Sequence, residues 1–204
     1  DDTPTLTTNG EEAHNTASIH TDEGVSTTVT LDNVNIDVSD SSKAALTMTG
    51  TGNTEIELKG DNTLVSGSGH AGLEKNDTYR SEPSQNGSLT INAEDPDSSL
   101  TATGGAGGAG IGGANSKGSS NITITGGKVT AIGKGEADGI GGHGDVSITG
   151  GEIDVSVEGS GVAIGGNGGG SINIQGNAIK SISSRSGACI GGSAKNITIL
   201  DAEL

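Results

Sequence analysis

The chain has 204 residues, no Trp, no Phe and a single tyrosine, Tyr79, so no ordinary layered core can be assembled from it. Hydrophobic residues make up 29% of it and 38 positions are Gly, a composition that signals disorder unless the apolar residues recur with a period. A formal charge of −16 repels nucleic acid and anionic membrane surfaces, and the lone Cys189 excludes an intramolecular disulfide or a multi-cysteine metal site.

The opening stretch, DDTPTLTTNG, has no initial Met and no basic-then-apolar signal segment, and no 18-residue apolar run occurs anywhere, so the sequence reads as processed or excised, with nothing that spans a membrane. Scarce Lys and Arg with abundant Thr, Ser, Asn and Gly fit a secreted or wall-attached bacterial surface protein.

From there the chain repeats itself. An aliphatic residue preceded by a small one returns at Ile19, Leu46, Leu73, Ile111, Ile140, Ile164 and Ile190, spaced 27, 27, 38, 29, 24 and 26 residues apart. The small residues are Ser18, Ala45, Gly72, Gly110, Gly139, Ala163 and Cys189, as one crowded corner recurring in successive turns would require. Cys189 is on this reading a packing residue.

After each corner comes an alternating pair: Val29 and Leu31, Ile56 and Leu58, Leu89 and Ile91, Ile122 and Ile124, Val146 and Ile148, Ile172 and Ile174, Ile197 and Ile199. The residues between them, Thr30, Glu57, Thr90, Thr123, Ser147, Asn173 and Thr198, must face the other way in a strand. A short turn then leads to a second strand, marked by Val34 and Ile36, Leu64, Leu100 and Ala102, Val129 and Ala131, Ile153 and Val155, and Ile179.

Two strands and a corner cannot bury an apolar face alone, but stacked turns align like positions into one narrow core. The expected fold is all-β: a single domain over residues 1–204, a right-handed parallel β-helix of about seven coils of roughly 24–29 residues with one coil enlarged. With coils about 4.8 Å apart, its length is roughly 30 Å.

Two polar insertions break the pattern, at 74–88 and at 92–99. The first carries Tyr79, Arg80 and Glu82, and the second Glu94, Asp95 and Asp97. Tyr79 can stack on the apolar face of a sugar while Arg80 and Glu82 hydrogen-bond its hydroxyls, and Glu94, Asp95 and Asp97 offer the clustered oxygens that Ca²⁺ prefers. The insertions belong to the same or neighbouring coils and so are placed to meet. Against this stands the plainer reading of solvated, tolerated loops.

Other signals carry less. GAGGAG at 105–110 satisfies a dinucleotide-binding string without the strand–helix context it needs, GGANSKGSS lacks the glycine-lysine-serine order of a phosphate loop, and GGHGDVSI at 141–148 matches a calcium nonapeptide only loosely. Asp37 and Asp154 fall in different coils, and His14, His20, His70 and His143 read as polar turn residues, so no acid-base pair or nucleophile set emerges. An ice-binding threonine row is interrupted by Glu57, Ser147 and Asn173. The chain stops at NITILDAEL inside a coil, which reads as further repeats or end-to-end stacking of copies.

The stretches GHAGLEKN, GGAGIGG, NITITGGKVTA, GIGGHG, VSITGGEIDV and VAIGGNGG resemble the glycine-rich GIGG repeats of large surface proteins from Gram-positive gut bacteria. TTVTLDNVNIDVS and NTEIELKGDNTLVSGSGHAGLEK are similar to the clostridial carbohydrate-binding β-helix proteins. That resemblance implies a right-handed β-helix related to pectate lyases, binding acidic or cellulosic polysaccharide with Ca²⁺ and without catalysis. The expected function is thus an adhesin-like carbohydrate-binding module whose partner is a polysaccharide, host glycan or host surface protein. A polysaccharide lyase or hydrolase is the first alternative and a structural spacer the second.

Overall fold

The computed structural model describes residues 3–78, 85–166, 168–176 and 178–200. They form twenty-one short strands, numbered in chain order, and no α-helix, so no helix among them is long and apolar enough to cross a membrane. Every strand pairing is parallel and joins a strand to its counterpart one turn away. The chain is a β-solenoid of about seven turns.

Its walls are three sheets. Sheet A stacks β1 (Thr5–Thr7), β3 (Ser26–Asp32), β6 (Asn53–Lys59), β9 (Leu89–Ala93), β12 (Ile122–Ile124), β15 (Val146–Ile148), β18 (Ser171–Gln175) and β21 (Asn196–Leu200). Sheet B stacks β4 (Asn35–Asp37), β7 (Asp61–Val65), β10 (Ser99–Thr103), β13 (Lys128–Gly133), β16 (Glu152–Val157) and β19 (Ile179–Ser184). Sheet C stacks β2 (Ala17–Thr21), β5 (Leu46–Gly50), β8 (Leu73–Lys75), β11 (Ile111–Gly112), β14 (Ile140–Gly141), β17 (Ile164–Gly166) and β20 (Ile190–Gly192). The corner expected between two strands is thus itself a strand, reduced to two or three residues in the later turns.

Ile111 stands opposite Leu73 and Ile140, and Ile140 and Ile190 both stand opposite Ile164, so the aliphatic spine lines up as its spacing implied. Between the walls lie Leu31, Ile56, Leu64, Leu73, Leu89, Ile91, Leu100, Ile111, Ile124 and their neighbours, none of them appreciably exposed. Three walls close together leave room for branched aliphatics reaching inward from each face, which is why the core needs no aromatic ring.

Each turn from sheet A to sheet B without an insertion bends through one left-handed residue: Asn33 (φ 52°), Gly60 (φ 65°), Gly127 (φ 80°), Gly151 (φ 85°) and Gly176 (φ 64°). Glycine adopts that conformation without the Cβ penalty, and asparagine is the side chain that tolerates it best.

Two stretches of the register differ from the expected alignment by two residues. Ile19 faces Met48, while Ala17 faces Leu46. Leu89 faces Thr54, so Ile91 pairs with Ile56 and the outward row on sheet A runs Thr28, Glu55, Thr90, Thr123, Ser147, Asn173, Thr198. Thr54 fills its inward place because its hydroxyl shares a buried hydrogen bond of 2.9 Å with that of Thr21. Thr30 and Glu57 belong to the neighbouring row, where Asn92 donates to Glu57 and Thr125 to Asn92. Cys189, expected to pack, is exposed.

Candidate functional site

The two insertions leave the solenoid at opposite ends of β9. The first lies on the corner from sheet C to sheet A and the second on the corner from sheet A to sheet B, so their roots are separated by the strand, roughly 13 Å at the ~3.3 Å rise of a parallel strand. Tyr79, Arg80 and Glu82 lie outside the described residues.

The second insertion is a ridge between two open grooves of about 450 and 420 Å³. Its acidic residues work largely within the protein. Asp95 accepts the Asp97 backbone N–H on its carboxylate and the Ser98 N–H on its backbone carbonyl at 3.0 Å each, the Glu94 backbone N–H donates to Glu57, and Asp97 pairs with Lys128 at 2.6 Å. The Lys128 hydrogen bond and its charge hold the Asp97 carboxyl below the usual carboxylate range and raise Lys128 in return. Among the described residues no three His, Cys, Asp or Glu side chains gather as a metal site needs.

The first insertion is rooted differently. Where later turns read Ile-Gly-Gly, this turn reads Leu73-Glu74-Lys75, and all three residues of β8 are buried. Glu74 accepts His70 Nδ1 at 2.8 Å, the Ala71 backbone N–H at 3.1 Å and Asn76 Nδ2 at 2.9 Å. Lys75 points inward, with Nζ 3.3 Å from Asp77 and donating to the Ser120 carbonyl at 3.0 Å. Their side chains are 9% and 0% exposed. Burial pulls the lysine below its ordinary value, and the Asp77 charge opposes it.

Asp77 ties this turn to the next one. One carboxylate oxygen accepts the Ser120 N–H and hydroxyl at 3.1 and 2.9 Å, and its backbone N–H donates to Gly118. The other oxygen, and the nearby Ser119 hydroxyl, are buried without a protein partner. The far root is pinned as well: Asn86 accepts the Thr78 N–H through its side chain and Asn121 Nδ2 through its carbonyl.

Directly above this root is a cavity of about 220 Å³, walled by the loops over 113–117 and 136–138 and by Gly141, Gly142 and His143. Ala114 donates its N–H to Asn76 Oδ1 at 2.9 Å, joining cavity and insertion root. Ser116 at the rim has φ 59°, a left-handed conformation costly for a side chain other than Asn or Gly. His143 is wedged in place, since a Cβ on Gly118 would lie 2.4 Å from its ring nitrogen.

Asp138 backs the cavity. It occupies the position two residues before the corner aliphatic, filled in other turns by Ala44, Ala71, Ala109, Val162 and Ala188. One oxygen accepts the Val162 N–H at 3.1 Å, and burial pushes the carboxyl up to about 7, well above the ordinary aspartate value. A carboxylate in a row of alanines and valine is legible in the sequence once the turns are aligned on their corners, and the sequence reading missed it.

A further group was also missed. His20 bridges Thr49 Oγ1 at 2.9 Å and Asp22 at 3.1 Å, the order of a hydroxyl–imidazole–carboxylate relay. Its histidine and aspartate are 62% and 81% exposed, so water screens the charge separation that such a relay has to stabilise.

No protein-family model, curated protein or solved structure matches the chain.

Proposed function

We propose that this chain is a non-catalytic carbohydrate-binding module of adhesin type, secreted or attached to a Gram-positive cell wall, and that it selects its polysaccharide or host glycan through the insertion at 74–88. One observation carries the reading: that insertion stands on a buried ion pair, Lys75 with Asp77, at a corner where later turns carry glycines opposite Glu74 and Lys75. Taking both charges out of water costs several kcal/mol per ion before their attraction is counted. A loop that is merely tolerated needs no such foundation. A loop that must present Tyr79, Arg80 and Glu82 at a fixed place does.

The acidic surface suits neutral glycans, or anionic ones bridged by Ca²⁺, and disfavours nucleic acid and anionic membranes. Binding to a glycan array, with and without EDTA, tests the module and a calcium bridge to the glycan together. The expected result is retention of a narrow set of glycans, weakened by Tyr79→Ala. Equal profiles for the two proteins would favour a spacer, and turnover of a pectin-like polysaccharide would favour a lyase or hydrolase.

A further inference from the structure

The geometry points to the cavity behind Asp138 as the seat of one neutral sugar residue, held through its hydroxyls by Asp138, Glu136, Asn115 and Ser116. This inference rests on the carbohydrate-binding reading and places a specific subsite beside the insertion.

Size comes first. At about 220 Å³ the cavity falls below the ~300–1,000 Å³ of sites for drug-sized ligands, which suits a single ring unit and leaves the rest of a chain outside. The lining is mixed in its hydrogen bonding. Asn115 and Ser116 both donate and accept, Lys117 donates, and Glu136 and Asp138 accept. Vicinal hydroxyls, each a donor and an acceptor, match that set. A sugar acid would meet two carboxylates against the single Lys117. Ala109, Ala114 and Ala137 supply small apolar contacts, and since no aromatic lines the cavity, orientation depends on the polar groups.

The chain itself marks the spot. Asp138 replaces the alanine or valine of five other turns, where a small apolar side chain would fill the space at no electrostatic cost. Hydroxyl donors from a ligand stabilise the ionised carboxyl, which burial alone disfavours. Ligand binding below about pH 7 therefore releases a proton, and affinity rises with pH until the carboxyl is fully ionised. The charged or titratable groups on the surrounding segments are Lys117 below, Lys134, Glu136 and His143 on its own turn, and Glu158 above.

Calorimetric titration of the protein with the methyl glycosides of glucose, galactose, mannose and N-acetylglucosamine, at pH 5.5 and pH 8, tests this. Glucuronate serves as the charged control. At least one neutral glycoside should bind five- to tenfold more tightly at the higher pH, with glucuronate weaker. Asp138→Asn should lower affinity at pH 8 about tenfold and flatten the profile, its fold verified by circular dichroism. A pH dependence that survives in Asp138→Asn would place the proton on another group and overturn the role given to Asp138. If the array retains glycans while no methyl glycoside binds, or the variant binds as the parent does, the cavity is not the subsite although the module still binds carbohydrate. Failure of both array and glycosides would sink the two readings together.

Discussion

Asp138 and Val162 are joined across adjacent turns by a 3.1 Å hydrogen bond from the valine N–H to the carboxyl, in a row where five other turns carry alanine or valine. Because burial raises that carboxyl to about 7, the native state keeps a proton that the unfolded chain, with an aspartate value near ~3.9, has already released. The resulting stability is fully present below the unfolded value and is lost as pH rises through about 7.

Replacing Asp138 by Asn keeps an acceptor for Val162 and removes the titration. Relative to the variant, the parent should therefore lose on the order of 4 kcal/mol between pH 4 and pH 8. Urea unfolding midpoints across that range provide the measurement, and parallel curves for the two proteins would contradict it.

Lys75→Met places in the third turn the residue type that Met48 supplies one turn earlier, yet it leaves Asp77 buried beside no cation. The cost should be about 3–5 kcal/mol. Adding Asp77→Ala should recover most of it, because the stranded charge is removed with the partner. A single and a double variant of equal stability would show that the ion pair does not hold the insertion root.

Asn62 is a polar residue in the apolar row of sheet B, beside Leu100. It accepts the Val34 N–H at 2.9 Å and donates to the carbonyls of Lys59 and Ser99 at 3.2 and 3.1 Å. Asn62→Leu fits the row by size but strands buried backbone groups, at about 1–3 kcal/mol for each one left unpaired. Amide exchange at Val34 offers a local readout, and unchanged protection there would refute the assignment.

Gly118→Ala drives a methyl group into the His143 ring, with backbone of the adjoining turn on the other side of that histidine at Gly168. The expected loss is about 1–3 kcal/mol. It should be accompanied by a displaced His143 ring resonance in the NMR spectrum, and an unmoved resonance would mean that the wedge is soft.

The solenoid was legible because its corner aliphatics and their small predecessors recur in the same order, and the register of Leu73, Ile111, Ile140, Ile164 and Ile190 follows that order closely. The two-residue slips were not legible. A threonine such as Thr54 suits an inward or an outward strand position, and only its partner Thr21, thirty-three residues away, decides which. Sheet C escaped notice because a strand of two residues, Ile140 and Gly141, has no room for alternation. Likewise, the insertions drew attention by length, whereas Lys75 and Asp77 announce themselves only by the burial that three-dimensional packing gives them.

The glycine column of sheet C has a consequence for how such a chain can change over generations. A Cβ on Gly112 would strike the carbonyl of Gly141, and one on Gly141 would strike that of Gly165, so each glycine holds the pitch for the turn beyond it. Editing a single member disturbs the fit of its neighbours on both sides. Duplicating or deleting an entire winding leaves every such contact with an equivalent substitute, so architecture of this kind is inherited most easily in whole windings, with novelty admitted at the outward bends.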